Sequence, residues 1–540
     1  MRRRSALGLG AAGAAALVTG CVPLQPLGDP PERPERKQVS ADGRPLREGG
    51  HLVMALSSEP DRLDPTTSSS LYTRFVMQTM CEKLYDISAD GEIVPMLATE
   101  LPTISEDGLT VEIPLKDGVL FADGAEFDAE AVRLTLERHL TLEGSTRASE
   151  LGPISAVEAI EPLRVRVKFE SPFAPFTAAL ADRAGMIMSP QALDELGEDF
   201  GNHPVGVGAF KFVRRVPQTA IEVEADPLYY DADNVHLDRI TYRIMTDANI
   251  RAANIQSGDV HVADSISPQD FEALQAVDGV GTLQVESLGY QGLTVNVGHA
   301  PEGQEPPSTP LATDERVRQA LSHAVDRNAL VNTVFNGWYT AAGSPISPSS
   351  PYTSPESRHL PAYDPDAAKA LLEEAGVEIP YPVRVTVSNT QDGLRYAQAL
   401  QAQAKEAGFA IHVAPMEYTA VLDAQSRGDF EVVLLGWSGR VDPHGNAYSF
   451  WTTGGGNNYP GVSDPEVDRL LEDATQVTDI GERAEVYGEA VARMQEVNAF
   501  IYLYRVRSLT AHRDDVAGVA VYADGVVHLS HAAFLDGDRS

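Results

Sequence analysis

The order of predicted strands and helices in residues 383–435 constrains the fold more than any other feature of the sequence. A strand rich in β-branched residues, at 383–387, precedes a helix that ends before Gly408 and whose face is formed by Leu394, Ala397, Leu400 and Ala404. A strand, a helix and a strand then follow at residues 409–413, 418–426 and 430–435. Parallel strands need crossover connections, so this order predicts an α/β fold with mostly parallel sheets covered by helices on both faces.

The same alternation is predicted in other parts of the chain. Strands at 51–56 and 110–115 are each followed by a helix, predicted over residues 74–84 and 128–140. Asp364-Pro365 and Asp464-Pro465 each place a capping carboxylate before a proline, which is favoured in the first turn of a helix. Helices are therefore predicted to begin at both dipeptides, and the first is predicted to end at Gly376.

The first 21 residues have the composition of an export signal. Arg2 to Arg4 precede an uncharged run of small and apolar residues that ends at Gly20. Such a run makes a helix of roughly 24 Å, shorter than a hydrocarbon core of about 30 Å, which predicts a cleaved signal and not a membrane span. Residues 18–21 read V-T-G-C and resemble the lipobox of bacterial lipoproteins, so Cys21 is predicted to be lipidated. An ordinary signal peptide is the alternative, and the sequence leaves Sec or twin-arginine export open.

Residues 22–48 are predicted to be an extended tether. They are rich in proline and charge and have almost no large apolar side chains, so they cannot form a core. A lipid on Cys21 would then hold the globular part at the outer face of the cytoplasmic membrane, or the protein would be periplasmic.

The net charge limits the possible partners, and the cysteine content limits the possible disulfides. Asp plus Glu number 78 against 42 Lys plus Arg, a net charge of −36, which argues against nucleic acid because phosphate binding depends on cations. The only cysteine besides Cys21 is Cys81, so no disulfide is predicted, and Cys81 is expected to be a small buried apolar residue.

The sequence motifs predict no catalytic residue, metal site or cofactor. A GxGxxG at Gly8, Gly10 and Gly13 lies inside the export signal, and HExxH and CxxC do not occur in the sequence. Ser438 lies in G-W-S-G, which is not the G-x-S-x-G of a nucleophile elbow. Asp231 and Asp233 suggest a calcium loop, but His236 occupies the glycine position.

The segment after the strand at 430–435 is the predicted ligand-binding region, because open α/β sheets bind ligands at the carboxyl ends of strands. Trp437 offers an apolar wall, Arg440 a cation for an anionic group and Asp442 an anion for a cationic group, with Ser438 between them. The alternative is a core tryptophan followed by a surface turn. The glycine-rich residues 454–459 are either a second binding loop or a connector.

Five segments resemble solute-binding protein family 5, the peptide, nickel and related binding proteins of ABC importers. They are G-G-H-L-V-M-A-L-S-S-E-P-D-R-L-D-P at 49–65, L-Y-D-I-S-A-D-G-E-I-V-P-M-L-A at 84–98, L-K-D-G-V-L-F-A-D-G-A-E-F-D-A-E-A-V at 115–132, H-P-V-G-V-G-A-F-K-F at 203–212 and R-V-R-Q-A-L-S-H-A-V-D-R at 316–327. The resemblance extends over nearly all of residues 49–530.

The resemblance implies a two-lobed periplasmic-binding-protein-like type II fold with an extra subdomain in lobe I. We expect lobe I at residues 49–290 and 500–540, with the subdomain at about 96–200, and lobe II at 291–499. The resemblance also implies a hinge of two crossing segments, expected near residues 287–296 and 499–506.

The resemblance further implies a binding protein, not an enzyme, that captures a peptide or peptide-like solute between its lobes and delivers it to an ABC permease and ATPase complex. A monomer is expected. Peptide-binding members hold the peptide amino group with an aspartate three residues after the tryptophan, where this chain has Arg440. Alternatives are therefore a non-peptide anionic solute, such as an opine or a glutathione-like or sugar-derived compound, a receptor for signalling without transport, and a secreted hydrolase.

The lipidation hypothesis predicts that Cys21→Ser moves the protein from the membrane to the soluble fraction. Acyl chains contribute about 0.8 kcal/mol of membrane affinity per buried methylene, and the substitution removes their attachment point. Fractionation of cells that express each form measures this, with Cys81→Ser as the matched control. Retention of the Cys21→Ser protein in the membrane contradicts lipid anchoring at this residue.

Overall fold

Two large sheets from different parts of the chain organise the protein. The computed structural model describes residues 33–536, so Cys21 and the first part of the predicted tether lie outside the described residues. We call the part of the chain around the seven-stranded sheet the first lobe and the part around the six-stranded sheet the second lobe.

The first-lobe sheet is mixed. Its central strand, His51–Leu56, is parallel to both neighbours, and the remaining pairs are antiparallel. In spatial order the strands are Val280–Glu286, Arg507–Arg513, Val262–Ala263, His51–Leu56, Arg239–Ile244, Ala220–Ala225 and Phe210–Val216.

The second-lobe sheet is also mixed. Tyr381–Ser388 is parallel to both neighbours, as the β-α-β-α-β pattern predicts, and the other pairs are antiparallel. In spatial order the strands are Thr340–Ala341, Phe500–Arg505, Tyr290–Val295, Val432–Trp437, Tyr381–Ser388 and Phe409–Met416. The prediction of mostly parallel sheets is wrong, because hairpins and strands arriving from the other lobe add antiparallel neighbours that no crossover helix constrains.

The chain passes between the sheets at residues 287–289 and at Val506, within the two segments where we expected the hinge. The predicted boundary at residue 500 differs from the sheet pairing. Phe500–Arg505 pairs with Tyr290–Val295 in the second lobe, and only the next strand, Arg507–Arg513, enters the first-lobe sheet.

A four-stranded antiparallel sheet occupies the middle of the expected subdomain. Its apolar side chains, such as Val111 and Val167, belong to the same buried cluster as Leu52 and Met54 of the seven-stranded sheet. The inserted sheet therefore shares the core of the first lobe. Its strands are Thr103–Ile104, Thr110–Pro114, Arg164–Phe169 and Ile154–Glu161.

The tether prediction is wrong for its second half. Arg36 and Gln38 form antiparallel bridges to Gln284 and Ala520 of the first lobe. An extended segment without a core of its own can still hydrogen bond to a sheet edge, which composition did not reveal.

Three small sheets complete the first lobe. They are Leu46–Arg47 with Ala533–Leu535 and Val516–Ala517, Ala520–Val521 with Val527–His528, and Tyr85–Ile87 with Ile93–Pro95.

Most predicted helices form within a few residues of the expected bounds, and the one predicted at 74–84 is displaced. It spans Leu71–Met77, because the Glu82 and Leu84 amides donate to Val207 and Gly185 carbonyls instead of continuing the helix. Cys81 is buried in the turn that follows. The first-lobe α-helices are Leu71–Met77, Ala129–Thr141, Ala148–Leu151, Phe176–Ala179, Pro190–Leu196, Ala248–Ser257 and Pro268–Leu274.

Second-lobe helices surround the six-stranded sheet. Those that begin at Pro365 and Pro465 are capped by Asp364 and Asp464, as the sequence predicts. The α-helices are Pro310–Thr313, Glu315–His323, Arg327–Phe335, Pro355–Arg358, Pro365–Glu374, Gln391–Glu406, Tyr418–Ser426, His444–Trp451, Pro465–Gln476 and Ile480–Val497.

The glycines of G-W-S-G allow the loop after Val432–Trp437 to pack against the first crossing segment. Gly439 has φ of +88°, and a Cβ there would overlap the backbone of Leu288 and Gly289. A Cβ on Gly436 would overlap the Tyr290 carbonyl. Both glycines are required by close backbone approach at the crossing.

This packing predicts that Gly439→Ala destabilises the protein more than Gly454→Ala. Gly454 also has a positive φ, +75°, but has no atom within 4 Å of a Cβ position. Both substitutions place an alanine in the left-handed conformation, which lowers the free energy of unfolding by about 1–2 kcal/mol. Steric overlap at Gly439 lowers it by about a further 1–3 kcal/mol. Thermal unfolding of the two variants measures the difference, and equal melting temperatures contradict the proposed role of this glycine.

Candidate functional site

A cleft between the two lobes contains three adjoining cavities. Two have volumes of about 210 and 200 Å³, the third has about 40 Å³, and all three are lined by Tyr418 and Leu435. Both crossing segments contribute to the walls, through Ser287 and Val506. The cleft therefore lies where a change in the angle between the lobes would alter its width.

Aromatic side chains from both lobes meet in this cleft. Tyr72 of the first lobe and Tyr418 of the second pack edge to face, with ring centroids 5.5 Å apart. Burial, with Asp264 nearby, raises the pKa of Tyr72 to about 12, so its hydroxyl stays protonated at neutral pH. Tyr339 and Trp437 add further aromatic surface. Such walls suit a solute with apolar surface and a few hydrogen-bonding groups.

Two carboxylates lie on the cleft walls. Asp264 accepts hydrogen bonds from the Ser57 amide at 2.8 Å, the Ser57 hydroxyl at 2.7 Å and the Ser265 hydroxyl at 2.8 Å. Asp392 lines both larger cavities, and burial raises its pKa. Sequence reasoning missed both residues, although Asp264 directly follows the strand Val262–Ala263 and Asp392 follows Tyr381–Ser388 by four residues. Their place at strand carboxyl ends was the available indication.

Trp437 and Ser438 line the cleft. Trp437 is the last residue of its strand, and its indole N–H donates to the Gly445 carbonyl at 2.9 Å. Phe450 packs against the ring at 4.9 Å, so the indole is held while its exposed part faces the cavities. The Ser438 hydroxyl accepts from Arg440 at 3.3 Å and Arg74 at 3.4 Å.

Arg440 is buried and pairs with an acid of the other lobe. Its Nε forms an ion pair with Asp182, and its guanidinium lies 4.1 Å from the centroid of the Trp437 ring. Burial lowers the Arg440 pKa to about 10, partly offset by Asp182, so the side chain is charged at neutral pH. Burial opposes ionisation of Asp182, but Arg440 and Arg74 outweigh it and hold its pKa well below the usual value.

Asp442 is paired inside the second lobe. Arg483 Nη1 and Nη2 donate to its two carboxylate oxygens at 2.7 and 2.8 Å, and the His444 amide donates at 2.9 Å. Arg440 and Asp442 line a separate cavity of about 20 Å³. The sequence thus placed four residues in one group. The structure puts two of them on the cleft wall, one in a buried ion pair between the lobes and one in a buried ion pair within the second lobe.

The glycine-rich segment at 454–459 reaches the cleft through its last residue. Tyr459 lines the 40 Å³ cavity, and its hydroxyl donates to Asn457 at 3.0 Å. Asn457 is fully buried and donates to the Ser449 hydroxyl at 3.0 Å. The segment therefore combines a connecting turn with one cleft-lining side chain.

The described residues, 33–536, also bear on metal binding and membrane insertion. Within that range, no group of three or more His, Cys, Asp or Glu side chains is arranged to hold a metal ion. In the same range, no helix has the length and apolar character needed to cross a membrane.

Comparisons with known proteins agree with this architecture. The glutathione-binding protein GsiB of Pectobacterium atrosepticum is 29% identical over 488 residues, which cover 87% of this chain and 92% of the relative. The oligopeptide-binding protein AppA of Bacillus subtilis, solved with a nonapeptide, superposes with a TM-score of 0.83 at 22% identity and covers 91% of this chain and all of its own. The binding protein AgaA of A. tumefaciens R10, solved with agropinic acid, gives a TM-score of 0.81 at 25% identity, covering 91% of this chain and 99% of AgaA.

The family model for bacterial extracellular solute-binding proteins, family 5 Middle, matches residues 92–459. These residues include the inserted sheet, the first crossing segment, the cleft-lining Trp437 and Ser438, and most of the second lobe. The two-lobed α/β fold and the match over more than half of the chain lead to one conclusion: this chain belongs to solute-binding protein family 5.

Proposed function

We propose that the protein captures a peptide or peptide-like solute in the interlobe cleft and delivers it to an ABC permease and ATPase complex. The observation that carries this proposal is the cleft itself, whose walls combine aromatic rings from both lobes with carboxylates at strand ends. Similarity to a glutathione-binding protein over 92% of that relative supports a solute of this class.

Capture by lobe closure is supported by contacts that join the lobes. Besides the pair between Arg440 and Asp182, the Ala174 amide donates to the Thr475 carbonyl at 2.8 Å, and Phe173 packs edge to face on His444 at 5.0 Å. A solute drives closure only through its greater affinity for the closed arrangement. A solute that touches Tyr72 and Tyr418 together would have this preference, because the two rings belong to different lobes.

Export and lipid attachment at Cys21 complete the proposed role. The acylated monomer would be held at the outer face of the cytoplasmic membrane, where it meets its permease. Trp437 and Ser438, which line the cleft, are proposed to contact the ligand. Arg440 and Asp442 are proposed to hold the loop and the lobe interface, because each already has a buried ion-pair partner.

A non-peptide anionic solute is the second candidate. The observation that favours it is the similarity to AgaA, which was solved with agropinic acid. Agropinic acid therefore belongs in the first set of solutes to be tested.

Calorimetric titration with trialanine, tetraalanine, reduced glutathione and agropinic acid tests the proposed solute class. We expect at least one of the first three to bind with micromolar affinity or better. Tyr418→Ala should weaken that binding by about 1–3 kcal/mol, or roughly fivefold to 150-fold, because it removes buried contact area. Tyr363→Ala is the control, since its hydroxyl contacts the exposed Glu406. Binding of agropinic acid alone would favour the second candidate, and wild-type affinity in Tyr418→Ala would contradict the assigned cleft.

Closure is tested by small-angle scattering of Asp182→Asn. Removing one partner of a buried ion pair costs about 3–5 kcal/mol, so the variant should be less compact than the wild type at saturating solute. Asp473→Asn is the matched control, because Asp473 pairs with Arg469 at 2.7 Å on the surface, where such pairs contribute about 0–1 kcal/mol. An equal radius of gyration for both saturated variants contradicts a role for Asp182 in closure.

A further inference from the structure

Two residues that line the 200 Å³ cavity each have a buried side-chain oxygen without a hydrogen-bond partner. The two atoms are the Ser388 hydroxyl and Oδ1 of Asp392, both buried, and the Ser388 residue is only 7% exposed. Buried polar atoms without a partner are uncommon in folded proteins, because desolvation without a compensating hydrogen bond costs free energy. The Asp392 side chain as a whole is 28% exposed, so a donor held in the cavity can reach this carboxylate group.

The local fold explains why both residues line the same cavity. Ser388 ends the strand Tyr381–Ser388, the central parallel strand of the second lobe. Asp392 lies in the first turn of the helix Gln391–Glu406, which is capped by the Thr390 hydroxyl accepting from the Gly393 amide at 3.3 Å. The cap is supplied by threonine, so the Asp392 carboxylate is not used for that purpose.

The charged groups around Asp392 leave its charge incompletely compensated. Arg395 is 3.9 Å from Oδ1, too far for a hydrogen bond, and 41% of its side chain is exposed. Arg251 lines the same cavity, but its guanidinium donates to four backbone carbonyls, those of Met245, Thr246, Asp264 and Ser265. Asp270 adds a further negative charge nearby, and burial is the main cause of the raised Asp392 pKa.

The other acids near the cleft are already satisfied. Asp264 accepts three hydrogen bonds from Ser57 and Ser265, and Asp442 is paired with Arg483. Of the two carboxylates that line the larger cavities, Asp264 and Asp392, only Asp392 has a buried oxygen that lacks a donor. The chemistry that meets this need is a cation with several N–H donors.

We propose that Asp392 pairs with an ammonium group of the bound solute and that the Ser388 hydroxyl accepts a second hydrogen bond from the same group. This assignment rests on the proposed function and names a chemical requirement for its solute: a primary ammonium group. It replaces the sequence-based hypothesis that Asp442 receives a cationic group of the ligand.

Paired solutes that differ only in their amine test the assignment by calorimetry. The set is trialanine and reduced glutathione, the N-acetyl derivative of each, and cadaverine as an amine without a peptide bond. Each is titrated into wild type, Asp392→Asn and Ser388→Ala. Asp366→Asn is the control for the same loss of charge, because the Asp366 side chain is 97% exposed. Melting temperatures without solute verify that the variants are folded.

We expect N-acetylation to weaken binding to the wild type by about tenfold to a thousandfold, as for other buried charge pairs. Asp392→Asn should weaken binding of the free amine similarly and remove most of the effect of acetylation, while Asp366→Asn changes neither. Ser388→Ala should give a smaller loss, of roughly tenfold.

The possible failures are distinguishable. If a peptide binds wild type and Asp392→Asn equally, or binds equally with and without its amine, the Asp392 assignment is overturned and the proposed function stands. If only cadaverine binds, and Asp392→Asn abolishes it, the assignment stands and the peptide proposal is overturned. If no amine binds the folded wild type, both are overturned.

Discussion

The buried ion pair between Arg440 and Asp182 connects the loop after the central strands of the second lobe to the inserted region of the first. Asp182 also accepts from Arg74 Nε at 2.7 Å, and Arg74 Nη2 donates to Asp524 at 2.6 Å. These side chains are almost completely buried. When the lobes are together, each buried charge therefore needs an opposite charge beside it. The relative position of the two cleft walls depends on this pairing.

Close backbone packing, as well as charge pairing, determines the geometry of the cleft. Two crossing segments, 287–289 and Val506, carry the chain between sheets, and Gly436 and Gly439 let the tryptophan-bearing loop approach the first of them closely. Trp437 is thereby presented to the cavities while its indole N–H is bonded inside the loop. A short segment thus contributes part of the cleft wall, a close backbone contact and an interlobe cation.

The sequence predicted local structure well wherever a pattern is decided by neighbouring residues. The alternation at 383–435 and the capping aspartates at 364 and 464 lead to the observed elements because hydrophobic period and capping are local properties. Sheet direction, the docking of residues 36–38 and the end of the helix at Met77 depend on distant partners such as Gln284, Val207 and Gly185. Those partners leave no trace in the local pattern.

The candidate site was predictable to the same limited extent. Trp437 and Ser438, singled out by their position after a strand, line the cleft, whereas Arg440 and Asp442 have the same local context and form buried ion pairs. Whether a charged side chain faces a cavity or an opposite charge is decided by residues such as Asp182 and Arg483, which are far away in sequence. Asp392 was overlooked because no neighbouring residue shows that its carboxylate oxygen lacks a hydrogen-bond donor.

The central claim is that solute binds between the lobes, against walls from both. A crystal structure of the protein with the solute that co-purifies with it tests this most directly. We predict electron density for the solute in the interlobe cleft, in contact with Tyr72 of the first lobe and with Tyr418 and Trp437 of the second. Density for the solute on the outer surface of one lobe, with the interlobe cleft holding only water, would contradict it.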